Sequence, residues 1–224
     1  MSRTKAIAAS YLGVIAYASL VFIGAWKFYY WQGITYVALA VFGTTVSHLL
    51  TPSGSDLAAR RVRDAKSGQD WDKRLLGVLF VINTATFLVA GMDSGRFMWS
   101  GLVPLSVTIA GAILMIAGQL VFAFSKRENA FFSSTVQIQA EHGHAVCETG
   151  PYRLVRHPGY LGMLLSVAAF PLVMGSYWAL VPAAISMVVL IVRAVLEDRF
   201  LLDSLPGYLD YAKKTKFKLL PGLL

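Results

Sequence analysis

Side chains able to hold charged or nucleophilic groups gather in two stretches of this chain. Residues 144–160 carry His144, Cys147, Glu148, Tyr152, Arg153, Arg156, His157 and Tyr160, with Gly150-Pro151 and Pro158-Gly159 punctuating the backbone. The second stretch holds Arg193 and Glu197, four residues apart and so on one face of a helix. A guanidinium suits two-pronged capture of a carboxylate. The same spacing also suits a structural ion pair, and both readings stand at this level. Pro158 removes a donor and drives His157 away from helical geometry. Gly159 allows a ligand close to the backbone, or the tetrad is simply a helix-start turn capped by His157. His142, His144 and Cys147 offer at most three ligands in a spacing that matches no common zinc pattern, so no metal is expected. Cys147 has no triad context for covalent catalysis. There is no glycine-rich strand-to-helix turn and no strand alternation, which excludes the soluble nucleotide-binding folds.

The elements that must position these groups are membrane helices. The chain has 224 residues, of which 56% are hydrophobic, and its mean hydropathy is +0.60. Both are too high for an ordinary soluble domain, and long apolar runs predict an all-α, polytopic integral membrane protein. About six spans are expected, near residues 7–25, 33–50, 75–91, 101–124, 160–174 and 177–194. The last two are short, with only Gly175-Ser176 between them, and read as a tight hairpin whose second helix continues through Leu205. Trp26, Tyr29, Tyr30 and Trp31 form an aromatic belt after the first span. Asn83, Thr84 and Gln119 lie within spans and are expected to face other helices. His48 reads as an interfacial residue. The polar loop 51–74 reads as an interfacial helix from Asp56 to Arg74, interrupted by Gly68. The single cysteine excludes an internal disulfide.

Charge orients the array. Net charge is +8, from 20 Lys+Arg against 12 Asp+Glu. With six spans, only Lys27 and Arg96 fall on one side, so the positive-inside rule puts both termini and residues 125–158 in the cytoplasm. The basic excess serves orientation and anionic headgroups; no nucleic-acid motif accompanies it, so nucleic acid is not an expected partner.

The spelling Gly150-Pro-Tyr-Arg-x-x-Arg-His-Pro-x-Tyr160, followed by Arg193-x-x-x-Glu197-Asp198-x-x-Leu201, Tyr208-x-x-Tyr211 and Pro221, resembles the isoprenylcysteine carboxyl methyltransferase family of integral-membrane enzymes. The resemblance covers about residues 137–221, and it divides the chain into N-terminal helices, 1–130, and a methyltransferase core, 131–224. It implies S-adenosylmethionine as cofactor, in a cytoplasmic pocket built from the 125–158 loop and the C-terminal helix. By resemblance, Arg193 meets the methyl-accepting substrate and Glu197 the cofactor, whose ammonium it would receive. His157, Pro158, Gly159 and Tyr160 would lie against the cofactor. So would Tyr152, Gln137, and His144, Ala145, Val146 and Cys147 through side chain or backbone. Asp198 stands where the family more often has a second Glu, which shortens that carboxylate's reach. The expected reaction is methyl transfer to a lipophilic acceptor at the membrane, first the carboxylate of an isoprenylcysteine-like or prenylated substrate. A phospholipid amine or a small thiol is the alternative acceptor. An NADPH-dependent, sterol-reductase-like membrane enzyme is the rival of another class, and a non-enzymatic scaffold is a third.

Overall fold

The computed structural model describes residues 3–51, 68–220 and 222. Much of the polar 51–74 loop, with its expected interfacial helix, and Pro221 lie outside the described residues. Among the described residues the chain is helical throughout, with no strand. In order come α1 (Arg3–Ala25), α2 (Trp31–Leu50), α3 (Asp70–Gly91), α4 (Leu105–Glu128), α5 (Pro158–Met174), α6 (Leu180–Ser204) and α7 (Tyr208–Lys214). A π-helical turn, Met92–Phe97, follows α3, and two 3-10 turns, Ala140–His142 and Gly150–Arg153, break the loop after α4.

Five helices are long and apolar enough to cross a bilayer: α1, α2, α3 with its π-turn, α4 and α6. Six spans were expected. The remaining one, α5, is apolar but has 17 residues, about 26 Å of helix against a hydrocarbon core of about 30 Å. It nevertheless runs from the polar end of the array at His157 to the opposite end at Gly175. There, the fully buried Asp93 carboxylate accepts hydrogen bonds from the Ser176 hydroxyl (2.6 Å) and the Ser100 amide (2.7 Å).

The α5–α6 hairpin turns over residues 175–179, beginning with Gly175 in the left-handed region at φ 62°. The tightest packing of α5 is against α4 rather than its hairpin partner. Gly118 and Gly162 permit it: a Cβ on Gly118 would sit 2.7 Å from the Gly162 carbonyl oxygen, and one on Gly162 2.6 Å from that of Gly118. Small residues at a membrane helix contact bring the two backbones together, so that dispersion contacts hold them.

The intramembrane polar residues behave as expected in two of three cases. Asn83 Oδ1 accepts from Ser186 of α6 at 2.9 Å. Gln119 Nε2 donates to the Leu39 carbonyl of α2 at 3.1 Å. Thr84 instead bonds its own helix, donating to the Phe80 carbonyl at 2.8 Å, because a β-hydroxyl reaches the preceding turn more readily than a neighbouring helix. His48 lies beside Tyr11 near the end of α2, ring centroids 6.2 Å apart and planes tilted by 36°. Trp26, Tyr29 and Trp31 are exposed, as a belt at the bilayer edge should be; Tyr30 is buried, its hydroxyl bonded to Ser94.

Candidate active site

Three elements converge at the polar end of the array. The start of α5 brings His157 to Tyr160, the last third of α6 brings Arg193, Glu197 and Asp198, and the 129–157 loop closes over them. Between them lies a cavity of about 420 Å³, a size suited to a small-molecule ligand. Gln137, His144, Ala145, Val146, Cys147, Tyr152, His157, Gly159, Tyr160, Arg193 and Glu197 all line it. Pro158 does not; it forms the first residue of α5, where its missing N–H costs nothing. His142 sits on the exposed 3-10 turn, away from the cavity.

Arg193 and Glu197 share a helix face but do not pair with each other. Arg193 makes a two-pronged ion pair with Asp72 in the first turn of α3, Nε to Oδ1 at 2.6 Å and Nη2 to Oδ2 at 3.1 Å. Nη2 also donates to the Ser134 carbonyl at 2.8 Å. Asp72 is fully buried, and its Oδ2 accepts the Val136 N–H at 2.9 Å. One carboxylate thus ties α3, α6 and the cavity-lining loop together. Glu197 Oε2 accepts the Tyr160 phenol at 2.6 Å. The Arg193 guanidinium lies 5.4 Å from the centroid of the same tyrosine ring, a cation–π contact. Tyr160 therefore fixes both groups.

A second ion network backs His157. Asp198, fully buried, pairs with Arg156 through Nε (2.7 Å) and Nη2 (2.9 Å), and accepts from the Tyr208 hydroxyl at 3.0 Å. His157 Nε2 lies 3.1 Å from the same carboxylate. Asp198 does not line the cavity; its shorter reach suits a buried hub one layer behind it. His157 makes no side-chain cap at the start of α5. Its backbone N–H instead donates to Lys218 O, and that of Arg156 to Phe217 O, both at 2.9 Å, so the tail is strapped across the site. Arg156 Nη1 adds bonds to the Thr215 and Lys216 carbonyls. Burial opposes the charge of Arg156, but the Asp198 hydrogen bonds outweigh it and its pKa is raised.

Gly159 lines the cavity and is also pressed against an aromatic side chain. A Cβ at that position would lie 2.7 Å from the Phe132 ring, so the glycine makes room for an aromatic wall. His144 stacks on Phe131, centroids 4.5 Å apart, and its Nδ1 accepts the Gln139 N–H at 3.2 Å. Burial pushes its pKa down, which keeps the ring neutral with its hydrogen on Nε2. Burial, aided by Glu128, pushes the Cys147 thiol up, so it rests as a thiol rather than a nucleophilic thiolate. Gln137 Nε2 lies 3.3 Å from the Ser133 hydroxyl. Tyr152 is buried and accepts from Tyr211 at its carbonyl (2.7 Å), and burial raises the pKa of both phenols.

Sequence reasoning missed Asp72 and Phe132. Asp72 is one of several acids before α3, and acids at a helix start are ordinarily explained by the helix dipole. Nothing in its spacing points to a partner 121 positions away. Among the described residues no group of three or more His, Cys, Asp or Glu side chains is arranged to hold a metal ion.

Fold and site together define a helical, multi-pass membrane protein with a ligand-sized cavity at one end. Residues 107–205 match the family model described as phospholipid methyltransferase, a stretch that overlaps the motifs of the second half of the chain. The cobalt-zinc-cadmium resistance protein CzcN of Cupriavidus metallidurans is 27% identical over 145 residues, covering 62% of this chain and 61% of that protein. The chain thus spans less than two thirds of that relative's length.

Proposed function

We propose that the chain is an S-adenosylmethionine-dependent methyltransferase that modifies a lipophilic acceptor at the cytoplasmic face of the membrane. The observation that carries this reading is the 420 Å³ cavity lined by Arg193, Glu197, Tyr160 and the 137–147 loop. Its residues fit the cofactor. Glu197, held by Tyr160, presents a carboxylate to the ammonium; the Phe131–His144 stack and the apolar Val146 and Leu205 offer flat surfaces to a purine. The cofactor, when bound, supplies an electrophilic methyl on a sulfonium.

What the protein does is align and exclude water. Asp72 and Tyr160 hold the Arg193 guanidinium, leaving Nη1 without a hydrogen bond among the described residues. That nitrogen is free to orient an oxygen of the acceptor. Phe122, Phe132 and Met163 give the cavity an apolar wall on the side of the membrane helices, which suits a lipophilic acceptor. The carboxylate of an isoprenylcysteine-like substrate suits Arg193 and needs no general base. A phospholipid amine is the second reading, favoured by the family description over residues 107–205.

The deciding experiment is calorimetry on detergent-purified protein with S-adenosylmethionine, S-adenosylhomocysteine and NADPH in parallel. Saturable binding of the first two, lost in Glu197→Ala, is expected. Binding of NADPH alone would move the reading to a reductase, and binding of none would sink it.

A further inference from the structure

A second cavity, of about 310 Å³, lies deeper among α1 to α5. It continues the first along shared helices. On α4 the lining passes from Phe122 to Gln119, and on α5 from Met163 to Ser166. Each step is three residues, about 4.5 Å along the axis. The deeper cavity is lined mainly by aromatic and aliphatic groups: Phe87 and Phe170 stack at 4.2 Å, with Tyr36 edge-on to Phe170 at 5.0 Å.

Into this apolar space come three hydrogen-bond donors with no partner of their own. Asn83 accepts from Ser186 at Oδ1, which fixes the amide and leaves the Nδ2 hydrogens unused. The hydroxyls of Tyr17 and Tyr36 line the same cavity and make no hydrogen bond among the described residues. Gln119 contributes nothing comparable: its amide is spent on Leu39, and its Oε1 is buried against Gly43. Polar groups at bilayer depth are costly and mark ligand pathways. Thr86 and Ser166 also line the cavity, but each donates its hydroxyl to its own helix, at the Ile82 and Gly162 carbonyls.

We propose that this cavity is the chain-binding subsite of the methyl acceptor, and that the acceptor carries a hydrogen-bond-accepting oxygen within its apolar part. The placement sets a length. Tyr160, beside Arg193 and Glu197, is six residues from Ser166 at the edge of this cavity, so the oxygen-bearing part of the acceptor begins roughly 9 Å along the helix axis from the reacting end. An unsubstituted alkyl or polyprenyl chain would leave all three donors unsatisfied. This assignment rests on the methyltransferase reading for the word acceptor, but the cavity's preference for an oxygen-bearing chain does not.

The test uses two photoactivatable probes, a diazirine-bearing palmitate and its mid-chain keto counterpart, on the full chain in detergent, with labelled peptides read by mass spectrometry. The keto probe should label the segments 83–87 and 166–170 several-fold more than plain palmitate. Asn83→Leu, and separately the near-isosteric Tyr36→Phe, should each reduce that preference while S-adenosylmethionine binding by calorimetry stays unchanged, which shows the variants fold. Equal labelling by both probes, or labelling confined to the outward-facing Phe80, Val81, Ile109 and Ile113, overturns the proposal. Preferential labelling without any S-adenosylmethionine binding would keep the oxygen-bearing ligand and overturn the methyltransferase reading instead.

Discussion

At the scale of residues, the site depends on carboxylates that never reach the ligand. Asp72 neutralises Arg193, and Asp198 neutralises Arg156. Removing one member of a buried ion pair strands the other, at about 3–5 kcal/mol. Asp72→Ala should therefore lower stability by roughly that amount, read as a drop in denaturation midpoint. Arg193→Ala should abolish turnover while largely sparing S-adenosylmethionine affinity by calorimetry, and unchanged turnover would remove Arg193 from the acceptor site. His144 gives a pH dependence of definite sign. Its pKa is lowered by burial, so the folded loop favours the neutral ring. The associated stability is fully present above the unfolded value of about 6.5 and is lost as pH falls below it. Cofactor affinity, measured by titration from neutral pH downward, should weaken over that range, and His144→Phe should flatten the dependence.

At the scale of elements, the α4–α5 seam decides whether the cavity keeps its shape. Phe122 of α4 and Tyr160 and Met163 of α5 all line the cavity, and the Gly118–Gly162 contact sets the spacing between the two helices. Gly162→Val would push its side chain into the Phe122 backbone, 2.7 Å from the Cβ position. Overpacking of this kind costs about 1–3 kcal/mol. The expected outcome is a lower thermal midpoint together with weakened cofactor binding, whereas Gly77→Ala, at a position with open space around it, should leave both unchanged. The tail is a second such element. Its backbone bonds to Arg156 and His157 brace the site from behind, and Leu219 is buried in one cluster with Leu79 and Leu164.

For the whole molecule, the two ends differ in charge as well as in content. The end holding Asp93 and Ser176 carries Lys27 and Arg96, while the cavity end carries the basic tail and the 126–157 loop. We propose that the cavity end is cytoplasmic, where S-adenosylmethionine is made. A cysteine placed at exposed Lys216 should react with a membrane-impermeant maleimide only in inside-out vesicles, and one at Arg96 only in right-side-out vesicles, each measured in a Cys147→Ser background. The reverse pattern would invert the topology.

Periodicity and hydropathy made the membrane helices legible, because an apolar run of fixed length is a local property of the chain. The ends of α1, α2, α3 and α6 lie within a few residues of the expected spans, except that α3 begins five residues earlier, at Asp70. The residues expected to meet cofactor or substrate were legible as well, since their spelling is local: all of them but Pro158 line one cavity. What no local pattern contains is partnership. The i,i+4 spacing of Arg193 and Glu197 is equally compatible with a pair and with two separate tasks, and only packing of α3 beside α6 gives Arg193 to Asp72. Likewise Gly159 reads as room for a ligand, and only the fold shows that the Phe132 ring bounds that space. Local physics determined the helices and the residues able to do chemistry; the tertiary arrangement decided which charges are cancelled and which face the cavity, because a buried charge takes whichever partner the fold brings within reach.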